Sequence, residues 1–359
     1  MPIQDNDINS EDSQPPGLGL DYLCSSFLDT QTIQPLNKGG NLLFVRQQNI
    51  TVRVETDLDT CHQLFEQFSP KKTLFELWGF RYAFYLGHTN LPVFLIFERD
   101  SEPLGLLPLW YEKDKDELRW FGSWWQEGNT FWFKDKSLIP TVFSLFQQKI
   151  LLNALKIAPS LAKKLGLQED DPKYLLHFDQ YPTIDSFFQK FNAKKRYNLR
   201  RDQKIIFSKN PKTVFNRFED IEKLFKLSIK RFSKTDDSSA FTAKERRQTF
   251  REIIKQAGEY EPRIVSTEIK GKVVGVDLIC IHKGIYYALN GAYDLKNYPG
   301  LGNYTNLLLI QDAINLGVKE VDFLEVSYGW KEDWFEPVPL FQFKGLAEKF
   351  KPSTGPSNT

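Results

Sequence analysis

A short segment with two closely spaced glycines is the first candidate for chemistry. It reads Asn-Tyr-Pro-Gly-Leu-Gly-Asn over residues 297–303, here called the glycine loop, and it precedes a run with helical spacing. Glycines let a backbone approach a ligand, and the amides that open a helix form an anion site that suits a pyrophosphate. On spacing alone, the pattern also fits a plain turn before a helix. The residues predicted to contact a phosphate-bearing donor are Asn297, Gly300, Leu301, Gly302, Asn303 and Tyr304.

A second group of residues is basic. Between residues 186 and 217, ten lysines and arginines stand against one acid, Asp202, so this segment carries +9 in a chain of net charge +1. The spacing i, i+4, i+8 places Arg196, Arg200 and Lys204 on one helical face. Such a face suits the phosphates of a nucleotide sugar, a lipid carrier, tRNA or an anionic membrane, with contact through residues 190–204. A solvated helix paired with acids elsewhere is the alternative. The predicted substrate-binding residues are Lys195, Arg196, Arg200 and Arg201.

Titratable side chains gather where a predicted strand over 321–326 ends. Glu325 at the tip is suited to take a proton from an amine or hydroxyl, and Lys331 to neutralise a phosphate or an oxyanion. Both also fit ordinary loop charges. The predicted catalytic residues are Asp322, Glu325, Tyr328 and Lys331, and Tyr293 and Trp330 are predicted to contact substrate.

The cysteines, histidines and aromatic segments provide no further candidate site. The three cysteines form no CxxC motif and the four histidines never pair at metal-ligand spacing, so we predict no metal site. Cys280 lies within an apolar strand pattern and predicts a buried, unreactive thiol. The aromatic-rich segments 120–125 and 131–133 are interpreted as packing, in preference to a sugar- or acyl-binding wall.

The elements that must position these residues repeat one pattern. The chain has 359 residues, 41% hydrophobic and 26% charged, which fits two globular domains. Each half contains helices, a three-strand antiparallel meander and a further helix, and in the second half a strand follows, so the predicted fold class is α+β. The first meander spans 93–121 and is followed by a predicted helix over 137–157. The second spans 263–292 and is followed by a helix over 303–316 that Gly317 closes.

The predicted division places an N-terminal domain at 20–175 and a C-terminal domain at 176–350. Residues 1–19 carry four acids without a lysine or arginine and predict a disordered acidic tail, and 351–359 predict a flexible end. No run approaches the ~18–20 apolar residues of a membrane span, and no signal-peptide pattern is visible. We therefore expect a cytoplasmic protein that can lie at the inner face of the membrane.

The order of elements resembles the GNAT acyltransferase fold, in which a loop patterned Gln/Arg-x-x-Gly-x-Gly/Ala binds the pyrophosphate of acyl-coenzyme A. Residues 297–302 match that loop, with Asn297 where the family has Gln or Arg. Residues 291–294, 322–324 and 329–331 further resemble CelD-type acyltransferases, which sit beside the FemAB-like aminoacyltransferases and carry tandem GNAT-like domains. The first half lacks a glycine loop, which indicates a degenerate domain that serves as scaffold or acceptor wall.

This resemblance implies direct transfer of an acyl group from acyl-coenzyme A, acetyl or longer, to an amine or hydroxyl. The acceptor would be a small or phosphate-bearing molecule such as a cell-envelope or polysaccharide precursor. One alternative is a FemAB-like aminoacyltransferase that uses aminoacyl-tRNA, which the basic segment also fits. Another is a non-catalytic phosphate- or membrane-binding module on the same scaffold. The sequence leaves the oligomeric state open.

Overall fold

The structure is a computed structural model that describes residues 33–35, 42–45, 50–123, 125–145, 149–233, 238–326 and 329–345. The predicted tails at 1–19 and 351–359 lie outside the described residues, as does the predicted catalytic residue Tyr328.

The first half alternates strands with short helices. Its elements are β1 (Ile33–Pro35), β2 (Leu42–Val45), β3 (Ile50–Glu55), α1 (Leu58–Phe68), α2 (Trp78–His88), β4 (Leu91–Arg99), β5 (Glu102–Glu112), β6 (Glu117–Trp120), β7 (Trp132–Phe133), α3 (Ile139–Leu145), β8 (Ile150–Leu155), α4 (Pro159–Lys164) and β9 (Gln168–His177).

The second half opens with helices and closes on a long strand. Its elements are α5 (Ile184–Gln189), α6 (Ala193–Phe207), β10 (Lys212–Phe215), α7 (Ile221–Phe232), α8 (Lys244–Lys255), β11 (Glu261–Ile269), β12 (Lys272–His282), β13 (Ile285–Tyr293), α9 (Leu301–Asn315), β14 (Glu320–Asp322), α10 (Lys331–Trp334) and β15 (Glu336–Gly345).

The described strands form one continuous sheet in the order β1-β2-β3-β4-β5-β6-β8-β15-β9-β14-β13-β12-β11-β10, with β7 paired to β5. Parallel pairing occurs at β6–β8 and at β13–β14, and the other described pairs are antiparallel. Both predicted meanders are therefore confirmed, as β4–β5–β6 and β11–β12–β13. The α+β class with a repeated, largely antiparallel unit is also confirmed.

The two halves exchange strands at the centre of the sheet. The C-terminal strand β15 pairs with β8 of the first half and with β9. The strand β9 in turn pairs with β14 of the second half. Two neighbouring strands thus tie the halves together by backbone hydrogen bonds. The predicted division between residues 175 and 176 falls within β9 and stays a prediction.

Two elements differ from the sequence prediction. The helix predicted over 137–157 is wrong, because α3 ends at Leu145 and the apolar residues from Ile150 to Leu155 form β8. Parallel pairing with β6 selects the strand, since a short apolar run alone does not distinguish strand from helix. The strand predicted over 321–326 ends at Asp322, because Leu324 and Val326 adopt positive φ angles of 61° and 71°. The helix after the glycine loop is confirmed, and Gly317 follows it at φ 66°.

Helices α1, α2, α7 and α8 share one hydrophobic core that includes side chains from both halves, such as Phe65, Phe84, Leu224 and Phe250. Helices α5, α6 and α9 contribute to separate cores of the second half. The predicted packing role of the aromatic residues is confirmed for the described positions, because Trp120, Phe121, Trp132 and Phe133 are buried. Cys280 is also fully buried, and burial raises the pKa of its thiol well above the usual range. Among the described helices, none is both long and apolar enough to cross a membrane.

Candidate active site

The two parallel strands of the second half separate along part of their length. Pairing between β13 and β14 runs only from Ile285 with Glu320 to Tyr287 with Asp322. Beyond this point β13 continues to Tyr293, whereas the chain after β14 turns away at Leu324. A bulge at Leu289 interrupts the ladder with β12 in the same region. An opening therefore lies between the end of β13 and residues 323–326, and the glycine loop follows β13 directly.

Gly300 forms the N-cap of α9 with a φ angle of 88°, a conformation that residues with a side chain rarely adopt. A Cβ atom at this position would lie 3.0 Å from Cβ of Asp202 on α6, so glycine also permits the close approach of the two helices. The first-turn amides of Gly302 and Asn303 have no acceptor within the helix. The positive end of α9 is therefore available to an anion at this point.

The basic helix α6 borders the glycine loop. Asn303 Nδ2 donates to Asp202 Oδ2 at 2.7 Å, and Arg201 Nη2 donates to the other carboxylate oxygen at 2.9 Å. Asn297 closes the loop on itself, since its Nδ2 donates to the carboxylate of Asp294. The basic helix α6 and the glycine loop, which are far apart in the sequence, therefore form one surface. On this surface Arg201 lies beside the start of α9.

The four predicted basic residues divide into two pairs. Lys195 forms an ion pair with Asp333 at 2.9 Å, and Arg196 donates to the backbone carbonyl of Phe191. Arg200 is exposed, and the side chain of Arg201 keeps 53% of its exposure despite its contact with Asp202. Only the second pair is well placed to contact a ligand near α9.

The other predicted substrate contacts are engaged in packing. Tyr293 donates its hydroxyl to the buried carboxyl group of Asp277, whose pKa burial raises to about 7. Trp330 packs edge-on against Phe323 and Trp334. Two of the predicted donor contacts, Leu301 and Tyr304, are buried in the first turns of α9.

Buried charges fix the segment that follows β14; we call Glu127, Lys173, Asp322, Glu325 and Lys331 the junction cluster. Lys331 Nζ donates to the carbonyls of residues 323 and 325 at 2.7 Å each, and burial lowers the pKa of this lysine to about 8. Asp322 accepts from the amide of residue 324 at 2.9 Å and pairs with Lys173 at 2.5 Å. Asp322 and Lys331 therefore hold the backbone in its positive-φ conformation.

Glu325 meets a carboxylate from the first half. Its backbone amide donates to both oxygens of Glu127, which is 3% exposed. Burial raises the pKa of Glu325 to about 8, with Asp170 and Asp171 adding to the effect. Burial, and then the charge of Glu325, also raises the pKa of Glu127 well above the usual range. This pair can hold or release a proton near neutral pH.

The first half also contains a parallel pair, β6 with β8, and the segment that follows β6 returns to β8. Asn129 forms an isolated parallel bridge with Leu155 of β8, and its amide group also donates to the carbonyl of Asn153. The fully buried Arg81 donates to Asn129 Oδ1 at 2.8 Å. The segment 125–130 is thus fixed against β8, and the degenerate role of this half stays a prediction.

Glu127, Lys173 and Asp202 were not predicted from the sequence. A sequence feature does distinguish Asp202, since it is the single acid between residues 186 and 217, where ten residues are basic. Lys173 and Glu127 carry none, because neither forms a recognisable motif and only the strand exchange brings them beside Asp322 and Glu325.

The fold and the site define the class. Residues 193–332, which contain the glycine loop and the end of β14, match the model of the Acetyltransferase (GNAT) domain. None of the curated proteins matches the sequence significantly.

Two solved structures show the architecture. The crystal structure of FemX is 11% identical, with a TM-score of 0.52, covering 82% of this chain and 97% of its own. A tandem GNAT protein from the clavulanic acid biosynthesis pathway is 10% identical, with a TM-score of 0.50, covering 86% and 100%. The chain is an acyltransferase with a GNAT domain at residues 193–332, and its fold is similar to those of FemX and of the tandem GNAT protein.

Proposed function

We propose that this acyltransferase moves an acyl group from acyl-coenzyme A to an amine or hydroxyl of an anionic acceptor, by direct transfer in a ternary complex. The observation that carries the proposal is the start of α9. There, the amides of Gly302 and Asn303 lie beside Arg201, next to the opening between β13 and β14. Helix amides together with a guanidinium form a binding site for a pyrophosphate.

The residues around the opening supply the remaining steps. The backbone of β13 near the bulge at Leu289 can polarise the thioester carbonyl. Glu325 accepts the proton of the acceptor as the new C–N or C–O bond forms and the C–S bond breaks, and the departing thiolate takes up one proton. The proposed role of Asp322 and Lys331 is to position Glu325, because their polar atoms bond the backbone of 323–325.

The acceptor is proposed to carry phosphate and to dock on the exposed face of α6. By resemblance to the CelD-type enzymes, a cell-envelope or polysaccharide precursor fits this description. A docked anion would also be attracted by the remaining positive charge of residues 186–217.

Aminoacyl-tRNA is a second candidate donor. Asp202 places a carboxylate against the first turn of α9, which opposes a pyrophosphate at that point. The basic surface also continues past α6 to Lys209 and Lys212, farther than one coenzyme A molecule requires. The extended basic surface fits the backbone of a nucleic acid.

Binding measured by titration calorimetry separates the two donors. Acetyl- and longer acyl-coenzyme A are expected to bind the unmodified chain, and Gly302→Glu is expected to abolish this binding while Gly302→Gln retains it. A Cβ atom at Gly302 meets only Leu295 Cδ2 at 3.6 Å, so both variants should fold, and an acid in the first turn favours the helix. Binding of aminoacyl-tRNA without binding of any coenzyme A thioester would overturn the proposal in favour of the second donor.

A further inference from the structure

A groove of about 320 Å³ lies between α5, α6 and α9. This volume is at the lower end of the roughly 300–1,000 Å³ of small-molecule sites. Aromatic rings and hydrogen-bonding side chains contribute to its walls, namely Phe188, Arg200, Gln203, Phe207, Tyr304 and Gln311. None of the steps proposed above uses this groove.

We infer that the groove binds the adenine nucleoside that ends the donor. The inference rests on the proposed donor site at the start of α9 and assigns the part of the donor that lies beyond the phosphates. In coenzyme A the adenosine is separated from the thioester by the pyrophosphate and the pantetheine arm, so the inference concerns this donor. In aminoacyl-tRNA the terminal adenosine carries the aminoacyl ester itself and would have to lie at the opening between β13 and β14.

The aromatic side chains offer a stacking surface. Phe207 keeps 56% of its surface exposed although it is a large apolar residue, and it contacts Tyr304 edge-on at 5.5 Å between ring centres. Two turns earlier on the same face of α6, the guanidinium of Arg200 lies 5.8 Å from the centre of the Phe188 ring of α5. A flat base that enters the groove covers exposed ring surface and stacks on an aromatic or guanidinium plane.

The groove is continuous with the proposed phosphate site. Tyr304 belongs to the first turns of α9, and its amide bonds the carbonyl of Gly300. Arg200 and Arg201 are consecutive in α6, yet Arg201 bonds Asp202 beside the glycine loop whereas Arg200 lines the groove. Helix α6 therefore presents one arginine, Arg201, to the phosphates and a second, Arg200, to the nucleoside.

The polar groups of the groove favour a base over an acyl chain. Gln203 and Gln311 carry amides, and Asp185 adds a carboxylate. Burying these groups against hydrocarbon is unfavourable, whereas the edge of adenine offers both a donor and acceptors.

Calorimetry with adenosine 3′,5′-bisphosphate, coenzyme A and pantetheine tests the assignment. Phe207→Ala and Arg200→Gln are expected to weaken binding of the bisphosphate and of coenzyme A about tenfold, as loss of one stacking contact does. Binding of pantetheine should not change, because it lacks the nucleoside.

Two controls match these variants. Phe215 keeps 43% of its surface exposed outside the groove, and Lys226 is exposed on α7 and does not line the groove. Phe215→Ala and Lys226→Gln should therefore keep the affinity for the bisphosphate within about twofold, the scale of an exposed side chain outside the site.

Each outcome bears on a separate claim. If coenzyme A binds and Phe207→Ala binds it equally well, the groove assignment is wrong and the donor proposal stands. If the variants weaken only long acyl thioesters and spare the bisphosphate, the groove holds an acyl chain. If the bisphosphate binds and coenzyme A does not, the groove takes a nucleotide that is not part of the donor, and both the assignment and the donor proposal fail. Binding of neither ligand by the unmodified chain overturns both.

Discussion

The backbone amide of Glu325 donates to both carboxylate oxygens of Glu127, at 3.0 Å each. Glu127 comes from the first half of the chain, between β6 and β7, and Glu325 follows β14 in the second half. The first half therefore supplies a buried partner to the proposed base. Removal of either half would leave this segment without one of its anchors.

Glu127→Ala is expected to destabilise the protein by about 1–3 kcal/mol, because the buried amide of Glu325 loses its acceptor. Glu127→Gln retains an acceptor oxygen and should cost clearly less. Chemical denaturation at pH 7.5 measures both changes, with Glu102→Ala at an exposed position of β5 as the control. Equal stability of the Ala and Gln variants would show that the hydrogen bond to residue 325 contributes little.

Stability is expected to depend on pH through the same pair. Burial raises the pKa of Glu325 from 4.5 to about 8, so between about pH 5 and 8 the folded protein keeps a proton that the unfolded chain releases. The free energy of unfolding should therefore fall as pH rises through this window. Glu325→Gln removes the contribution of this group, so its stability relative to the unmodified protein should increase from pH 5 to pH 8. Parallel curves for the two proteins would contradict the raised pKa.

Asp202→Asn is expected to strengthen binding of a polyphosphate donor by about two- to fivefold, since it removes a negative charge beside the first turn of α9. Asparagine keeps an oxygen that accepts from Asn303, so the contact between α6 and α9 should persist. Calorimetry with coenzyme A measures the gain, and Asp179→Asn on the exposed surface serves as the control. Unchanged affinity would place the phosphates away from this end of α9.

Gly87→Ala tests the contact between α2 of the first half and α8 of the second. A Cβ atom there would lie 2.1 Å from Thr249 Oγ1 and 2.8 Å from the carbonyl of Glu245, so the helices must separate. We expect a loss of about 1–3 kcal/mol in thermal or chemical unfolding. Gly258→Ala is the matched control, because no described atom lies within 4 Å of an added Cβ. A neutral Gly87→Ala variant would mean that the interface yields without strain.

Local pattern predicted the elements whose signals are strong. The alternating and turn-bounded runs identify both meanders, and the glycine loop with Gly317 brackets α9. Local pattern did not identify the strand from Ile150 to Leu155, because a short apolar run fits a helix as well as a strand and only pairing with a neighbouring strand distinguishes them. The end of β14 was also missed, since the positive φ angles at Leu324 and Val326 depend on distant charged groups.

The sequence by itself determined the α+β class, the glycine loop at the head of a helix and the basic character of α6. These features follow from residue type and spacing over a few turns of chain. Only the tertiary structure decided that α6 borders the glycine loop, that Lys331 bonds backbone carbonyls and that Glu127 meets Glu325. Each of these contacts joins residues that the sheet brings together across the exchanged strands or across packed helices. The pairing of charged groups at these contacts depends on how deeply they are buried and how far apart they lie, and the spacing of residues along the chain does not specify either quantity.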